Sequence, residues 1–223
     1  NLVSVETDVV QELEVINGTF NAEYGRAMSG VVNAVTKSGS DEFHGSLSAN
    51  LGNYLTGNED IFIGLDNNNI DRQQDYKFHL SGPIWSDKLT FLANARIQDN
   101  KGYLNAIHRF DVDDYSDFSS SDPDQWYSEH SGDSAYVATS YSQLNSFMGK
   151  ITSNIFKSFK ISLMYNLNDE EWGDYDHSFK YNPFGQGVNH KRSDMLMLSA
   201  NHMLSTSLFY DLKLSRIEDY YGW

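Results

Sequence analysis

The chain has 223 residues and a formal net charge of −15 at pH 7, from 31 acidic side chains against 16 lysines and arginines. The scattered bases argue against a nucleic-acid partner, because binding to a phosphate backbone requires a basic stripe. The absence of cysteine excludes a disulfide framework and a thiolate metal site. No apolar run approaches the roughly 20 residues of a membrane-spanning helix, so a membrane-embedded chain of this composition would have to use a closed barrel of strands.

The first predicted elements lie between residues 13 and 40. Leu13, Val15 and Ile16 are apolar and partly β-branched, and Gly18 ends that run. Residues 20–24 have room for about one helical turn. Residues 31–35 form a second β-prone run, so the segment is predicted to be strand, turn, strand. A generic βαβ corner is the alternative, although the residues that follow do not continue into an α/β pattern.

Seven later segments alternate between apolar and polar residues with a period of two, which is typical of strands with two different faces. Strands of about 9 to 11 residues cross a bilayer when tilted. The seven segments are residues 43–51, 76–81, 89–98, 147–155, 161–168, 196–200 and 208–214. In residues 161–168 the apolar set, which we expect to meet lipid, is Ile161, Leu163, Tyr165 and Leu167. Met164 is the one exception on the polar face.

The connections between these segments alternate in length. Residues 83–88, 156–158 and 205–207 are predicted tight turns, whereas residues 56–71, 103–141 and 172–192 are long and polar. Short connections on one side and long ones on the other are typical of outer-membrane barrels. A soluble all-β fold is the alternative, since alternation alone permits one.

Candidate catalytic and metal-binding groups are few. Asp111, Asp113 and Asp117 could offer oxygen ligands to calcium, but the segment lacks the turn glycine and the distal glutamate of an EF-hand. A solvated acidic loop is therefore the favoured interpretation. The adjacent Glu170 and Glu171 would point to opposite faces of a strand and could not share one substrate atom. We expect no enzyme activity and no cofactor.

Aromatic side chains in the long loops are better candidates for function. They stand among Asp, Ser and Asn, a mixture suited to gripping sugars, peptides or aromatic chelates. The substrate-binding candidates are Trp126, Tyr127, Tyr136, Trp172, Tyr175 and Tyr181. The alternative is that such rings form an interface girdle or pack the loops against each other.

Two patches of the sequence carry a family resemblance. The first patch contains Glu14, Gly18, Glu23, Tyr24, Gly25, Gly30, Asn33, Thr36, Lys37 and Gly39. The second is residues 81–89, with the sequence SGPIWSDKL. In this order the patches resemble the end of the plug and the first periplasmic turn of TonB-dependent outer-membrane receptors. The second patch resembles especially the branch with a carboxypeptidase-regulatory-like N-terminal domain.

The resemblance implies a fold and a domain organisation. Residues 1–40 would be the C-terminal part of a plug domain, and residues 41–223 the N-terminal part of a transmembrane antiparallel β-barrel, about seven strands of it. The fold class is then all-β. A chain that opens inside a plug is expected to be a piece of a longer receptor.

The resemblance also implies a function and partners. The complete protein would lie in the bacterial outer membrane, in contact with its lipid, and bind a scarce small solute, glycan or peptide in its extracellular loops. It would release this solute to the periplasm when the TonB complex pulls on the plug. A non-transporting surface protein, a binding or adhesion barrel, is the alternative. A TonB box and a complete plug upstream would distinguish the transporter.

Overall fold

The structure, a computed structural model, describes residues 10–16 and 31–223. Within these residues there are thirteen strands and three short 3-10 helices. The strands are β1 (Val10–Ile16), β2 (Val31–Thr36), β3 (His44–Gly52), β4 (Gln73–Trp85), β5 (Leu89–Asn100), β6 (Asn105–Ile107), β7 (Ser116–Asp117), β8 (Tyr127–Ser128), β9 (Tyr136–Ala138), β10 (Tyr141–Phe156), β11 (Phe159–Gly173), β12 (Asn189–Ser205) and β13 (Leu208–Gly222). The 3-10 helices span Pro123–Gln125, His177–Phe179 and Pro183–Gly185. No helix in this part of the chain is long and apolar enough to cross a membrane.

Seven strands form one antiparallel sheet in the order β13-β12-β11-β10-β5-β4-β3. Each of the seven segments predicted from alternation coincides with one strand of this sheet, apart from Phe43, which precedes β3, so their assignment as strands is confirmed. The order follows the chain except where β10 pairs directly with β5. Within the described residues, β3 and β13 are the two edges, and the sheet is open between them.

The connections of the large sheet alternate in length as predicted. Residues 86–88, 157–158 and 206–207 join strands at one end of the sheet, here called the turn end. Residues 53–72, 101–140 and 174–188 connect strands at the opposite end, here called the loop end. The short and long connections are therefore separated to opposite ends of one sheet, as in outer-membrane barrels.

Several connections are shorter than the sequence predicts. Pro83 lies inside β4, opposite Thr90, rather than in the first turn. Because β3 pairs with β4 only as far as Ser81, the missing N–H of the proline costs no ladder hydrogen bond on that side. Tyr141 and Trp172 likewise belong to β10 and β11, where they extend the strands towards the loop end.

The two faces of the large sheet are inverted relative to a water-soluble domain. One face, here called the outer face, leaves Ile151 and Leu163 each 47% exposed. The opposite face, here called the inner face, buries Asn94, Thr152 and Asn166 to 4%, 1% and 2% exposure. Water-soluble domains normally bury apolar side chains and hydrate polar ones. This sheet does the reverse. Leu163 lies on the exposed face, and its contact with lipid stays a prediction.

A patch of methionines occupies the middle of the inner face. Its buried members are Leu92, Met148, Met164 and Met195, and Met197 packs against them. These residues come from four neighbouring strands, β5, β10, β11 and β12. Met164, the exception on the polar face in the sequence, therefore belongs to a continuous surface of flexible thioether side chains, here called the methionine patch.

The first two strands form a separate antiparallel pair, in which Glu14 of β1 lies opposite Asn33 of β2. The two strands of the predicted strand-turn-strand unit are thus confirmed. The predicted helical turn at residues 20–24 lies outside the described residues. After β2 the chain runs along the inner face of the large sheet, where Thr36 contacts Met164, its Oγ1 lying 3.8 Å from the thioether sulfur.

The loop of residues 101–140 contains more regular structure than predicted. Within it β6 pairs with β9, and β7 pairs with β8. Arg72 ties this loop to the preceding one, because its guanidinium donates to the carbonyl oxygens of Gly102 at 2.9 Å and Lys101 at 3.2 Å, and to Asn105 Oδ1 at 2.8 Å. The buried cation orders the loop end in a way that the local sequence does not indicate.

Candidate functional site: the inner face and the loop end

Lys150 of β10 lies in the methionine patch. In the ladder it stands between Leu92 of β5 and Met164 of β11, which are its direct partners on the inner face. The side chain is half-buried. A lysine on a largely thioether surface needs hydrogen-bond acceptors, because an ammonium group is costly to remove from water without them.

The acceptors come from the segment that follows β2. The Nζ of Lys150 donates to the carbonyl oxygen of Thr36 at 3.1 Å, to Thr36 Oγ1 at 3.0 Å and to the carbonyl oxygen of Lys37 at 3.1 Å. Lys160, on the neighbouring β11, is 3.5 Å from Ser38 Oγ through its Nζ. Two lysines of the sheet therefore hold residues 36–38 against the inner face.

Gly39 allows the chain to pass close to β5. A Cβ atom at this position would lie 2.5 Å from the carbonyl oxygen of Phe91 and 2.7 Å from its backbone nitrogen. Separations under about 3 Å do not occur for real Cβ atoms, and the neighbour here is backbone that cannot swing aside. Only glycine fits this approach without a shift of the chain.

The residues of the first resemblance patch lie in different parts of the structure. Thr36, Lys37 and Gly39 meet the inner face, whereas Glu14 and Asn33 lie opposite each other in the β1–β2 ladder. Gly18, Glu23, Tyr24, Gly25 and Gly30 lie outside the described residues. The functional assignment of the motif thus stays a prediction.

A cavity of about 660 Å³ lies between the β1–β2 pair and the inner face, here called the inner-face cavity. Gln11, Val35 and Thr36 line one side of it. The sheet contributes Lys150, Met164, Ser199 and Lys213, among others, to the opposite side. The strand pair therefore meets the sheet through a limited set of contacts beside open, partly polar space.

A second cavity, of about 370 Å³, opens on the inner face at the loop end and is here called the mouth cavity. Trp172 lines it together with Tyr54 and Tyr103, whose rings meet edge to face with centroids 5.5 Å apart. Trp172 shares an inner-face row with Asn100 and Ser142, because Ser142 lies opposite both in the ladder. Aromatic faces beside amide, hydroxyl and carboxylate groups suit a hydroxyl-bearing solute.

A third cavity, of about 690 Å³, lies at the loop end but on the outer side of the sheet, and is here called the outer-face cavity. Tyr136 lines it. Its strand residues include Asp99, Gln143 and Glu171, a single row in which Gln143 lies opposite both carboxylates. This row shares the face of Ile151, so Tyr136 and Trp172 line cavities on opposite sides of the sheet.

The other predicted aromatic residues are not brought together with these two. Trp126 is on the 101–140 loop, 52% exposed, with its indole N–H donating to the carbonyl oxygen of Ser120 at 2.9 Å. Tyr127 packs near Tyr115 on the same loop, with ring centroids 6.4 Å apart. Tyr175 donates or accepts a 2.9 Å hydrogen bond with His177 Nδ1, and Tyr181 is 43% exposed. The six residues thus do not form one site.

The acidic loop uses its carboxylates to bond its own backbone. Asp114 Oδ2 accepts from the N–H groups of Asp111 at 2.9 Å and Ser131 at 3.1 Å. Hydrogen bonds from Ser131 and the backbone of Asp111 lower the pKa of Asp114 below its usual value. Hydrogen bonds from Ser119 likewise lower the pKa of Asp117.

The acids of this loop are not grouped as metal ligands in the part of the chain that the structure describes. Within residues 10–16 and 31–223, no group of three or more histidine, aspartate or glutamate side chains is placed to hold a metal ion. Asp111 and Asp117 instead accept from neighbouring backbone N–H groups, as in the 2.9 Å bond from Ser119 N–H to Asp117.

Sequence reasoning missed Tyr54, Tyr103 and the role of Lys150. Tyr54 and Tyr103 lie in two different loops, and only the fold brings their rings together. Lys150 does carry a local signal, a cation on the polar face of an otherwise weakly charged strand. Its partners are 114 residues away in the sequence and could not be inferred from it.

The chain is similar to the TonB-dependent transporter Oar of Myxococcus xanthus, with 32% identity over 177 residues. The match covers 74% of this chain and 16% of the relative, so the chain spans about a sixth of that protein's length. No protein-family model matches the chain, and no solved structure does. The similarity supports a place in the TonB-dependent receptor family.

Proposed function

We propose that this chain is a portion of a TonB-dependent receptor that transports a scarce solute across the bacterial outer membrane. Residues 1–40 are the end of its plug, and residues 41–223 are the first seven strands of its barrel. The observation that carries the proposal is the similarity to the transporter Oar. The resemblance of residues 81–89 further favours the branch with a carboxypeptidase-regulatory-like domain.

The inverted sheet supports the membrane location. In water, each exposed leucine or isoleucine of the outer face would forgo about 1.5 to 3 kcal/mol that burial supplies. Lipid removes this penalty, because the hydrocarbon core is as apolar as the side chains. The polar inner face then lines the interior of the barrel, and the open edges at β3 and β13 receive the remaining strands.

The position of residues 36–39 supports a gating role for the first segment. They lie on the inner face, bonded to Lys150 and Lys160 and pressed against the backbone of β5. A segment held on the inner wall of a barrel obstructs passage along that wall. When the TonB complex pulls on the plug, movement of this segment opens the inner-face cavity towards the periplasm.

The mouth cavity is the favoured place for solute contact within this chain. It opens on the inner face at the loop end, and its aromatic rings stand beside Asn100, Ser142 and Glu170. We assign Trp172 to this contact. The outer-face cavity, and with it Tyr136, lies on the opposite side of the wall and off the proposed passage.

The experiment uses the complete receptor with a single cysteine in place of Val35, which is 41% exposed and lines the inner-face cavity. Because these 223 residues contain no cysteine, labelling by a small maleimide reports on this site alone once any cysteine elsewhere in the receptor has been replaced by serine. In cells we expect the labelling rate to change when a protonophore or deletion of TonB removes the energy source. Ser207→Cys, in the turn between β12 and β13, is the control for access of the reagent.

The second candidate is a surface binding or adhesion barrel that does not transport. Such a protein has no use for energy from the inner membrane. Equal labelling of Val35→Cys in energised, protonophore-treated and TonB-deleted cells would favour this candidate over the transporter. A TonB box upstream of the plug is the corresponding feature that the transporter requires.

A further inference from the structure

The ammonium group of Lys150 bonds to a single short segment. Its three hydrogen bonds reach Thr36 twice and Lys37 once, at 3.0 to 3.1 Å. A lysine side chain has three N–H donors, so all of them are used. Two of the acceptors are backbone carbonyl oxygens. The contact therefore depends on the backbone position of residues 36 and 37 as well as on one hydroxyl group.

We propose that Lys150 is the positioning residue that holds the plug exit, residues 36–39, on the barrel wall and sets how readily this segment leaves it. The inference rests on the proposed transport function only in that the attachment would then control movement of the plug. The attachment itself is a property of the resting receptor, which can be measured without a solute and without the TonB complex.

The surroundings of Lys150 explain why this one side chain dominates the attachment. Met148, Met164 and Met195 provide a flexible apolar surface that accepts many arrangements of whatever packs on it. Such a surface provides attraction without fixing a register. The charge-assisted hydrogen bonds of Lys150 are directional and stronger than those between neutral groups, so they select one arrangement. Lys160 adds only one long contact, at 3.5 Å, to Ser38.

The same surroundings make release of the segment cooperative. If residues 36 and 37 move away, Lys150 loses all three acceptors at once and is left beside Leu92 and Met164. An ammonium group without partners on such a surface must be hydrated, because burying an unpaired charge is costly. The inner-face cavity next to Lys150 provides the space for that water. The attached and released arrangements are therefore two distinct states.

The test is amide hydrogen exchange of the complete receptor, purified without the TonB complex. Lys150→Met replaces the ammonium with a side chain that suits the methionine patch and leaves Thr36 and Lys37 intact. We expect exchange over residues 31–40 to become about ten-fold faster or more, because hydrogen bonds to a charged group contribute a net effect of at least this size. Exchange in β10 and β11 should stay unchanged.

Two lysines of the same inner-face cavity are matched controls. Lys213→Met, on β13, should leave exchange over residues 31–40 at the wild-type rate, because no hydrogen bond joins Lys213 to residues 36–38 among those that hold this segment. Lys160→Met should raise it by less than Lys150→Met. Thr36→Val removes one of the three acceptors with Lys150 in place, and it should give an intermediate increase even if Lys150→Met does not fold.

The proposal is overturned if Lys150→Met exchanges residues 31–40 no faster than Lys213→Met. It is also overturned if exchange rises equally across β10 and β11, since Lys150 would then serve only the packing of the sheet. Failure of the transport function is a separate result. It would show as Val35→Cys labelling that ignores the proton gradient, while the effect of Lys150→Met on exchange persists.

Discussion

The two faces of the large sheet, made by alternate residues of the same strands, follow opposite rules. Leu163 is 47% exposed, whereas Met164, the next residue of β11, is 3% exposed and packs in the methionine patch. On the outer face, apolar side chains such as Ile151 and Leu163 are left exposed. On the inner face, polar and thioether side chains are buried. The difference supports the proposed membrane location, in which lipid covers the outer face and residues 36–39 pack on the inner face.

The most direct test of this difference between the two faces is to place a charge on each face at adjacent positions. Leu163→Arg should cost about 2 to 4 kcal/mol of barrel stability, the range for a basic side chain facing lipid near the middle of a membrane. Ser162→Arg, one step along the pleat, should cost far less, because Ser162 lines the inner-face cavity and a charge there can be hydrated. The measurement is the free energy of unfolding of the complete receptor in bilayers.

The choice of control at the inner face matters. Asn166 also points inward, but it is only 2% exposed, so an arginine there would be penalised by lack of space. Ser162 avoids this complication. Equal losses for Leu163→Arg and Ser162→Arg would mean that the outer face does not meet lipid, and the membrane assignment of β11 would fail.

A change that adds a single methyl group tests how closely residues 36–39 pack on the inner face. Gly39→Ala places a Cβ atom 2.5 Å from the carbonyl oxygen of Phe91, and overpacking of this kind typically costs about 1 to 3 kcal/mol. We expect residues 36–39 to be displaced and the segment to become more accessible to protease. Gly57→Ala is the matched control, because nothing lies within 4 Å of a Cβ atom at that position.

Limited proteolysis of the complete receptor, followed by identification of the cleavage sites, measures this displacement. Cleavage between residues 31 and 43 should be faster in Gly39→Ala than in Gly57→Ala. If the two variants are cleaved alike, the close approach of residue 39 to β5 is wrong, and the attachment described for Lys150 loses its neighbouring support.

Much of the sheet could be predicted from the sequence because the relevant signal is local. Successive side chains of a strand point to opposite faces, so the sequence alone predicts that Ser162 and Leu163 lie on different faces. The short and long connections could also be read locally from runs of polar residues. The exact turn at residues 86–88 could not, because the place of Pro83 depends on where β3 stops.

The sites were harder to predict because they depend on which loop folds to which side. Tyr136 and Trp172 have similar polar surroundings in the sequence, yet they line cavities on opposite sides of the sheet. Tyr54 gains its role from Tyr103, 49 residues later, through a ring contact across two loops with centroids 5.5 Å apart. No local pattern encodes such a meeting.

The smallest expected effect is a pH dependence of amide exchange in the acidic loop, residues 111–135. Strand β10 of the large sheet should lack this dependence. The N–H of Ala135 and the ring of His108 bond to Asp133 and lower its pKa, and Asp114 is similarly shifted by Ser131 and Asp111. A carboxyl group with a lowered folded-state pKa stabilises the loop above its unfolded pKa, about 4 for aspartate, and loses this effect as the pH falls through the folded value. Amide exchange around residues 111–135, corrected for intrinsic rates, should therefore rise as the pH falls below about 4. Exchange in β10 should not rise over the same pH range.

At neutral pH, millimolar calcium should leave amide exchange in the acidic loop unchanged, because the carboxylate oxygens already bond to N–H groups. Protection by calcium would mean that the acids rearrange into a metal site, and a loop insensitive to acid would mean that these hydrogen bonds do not order it.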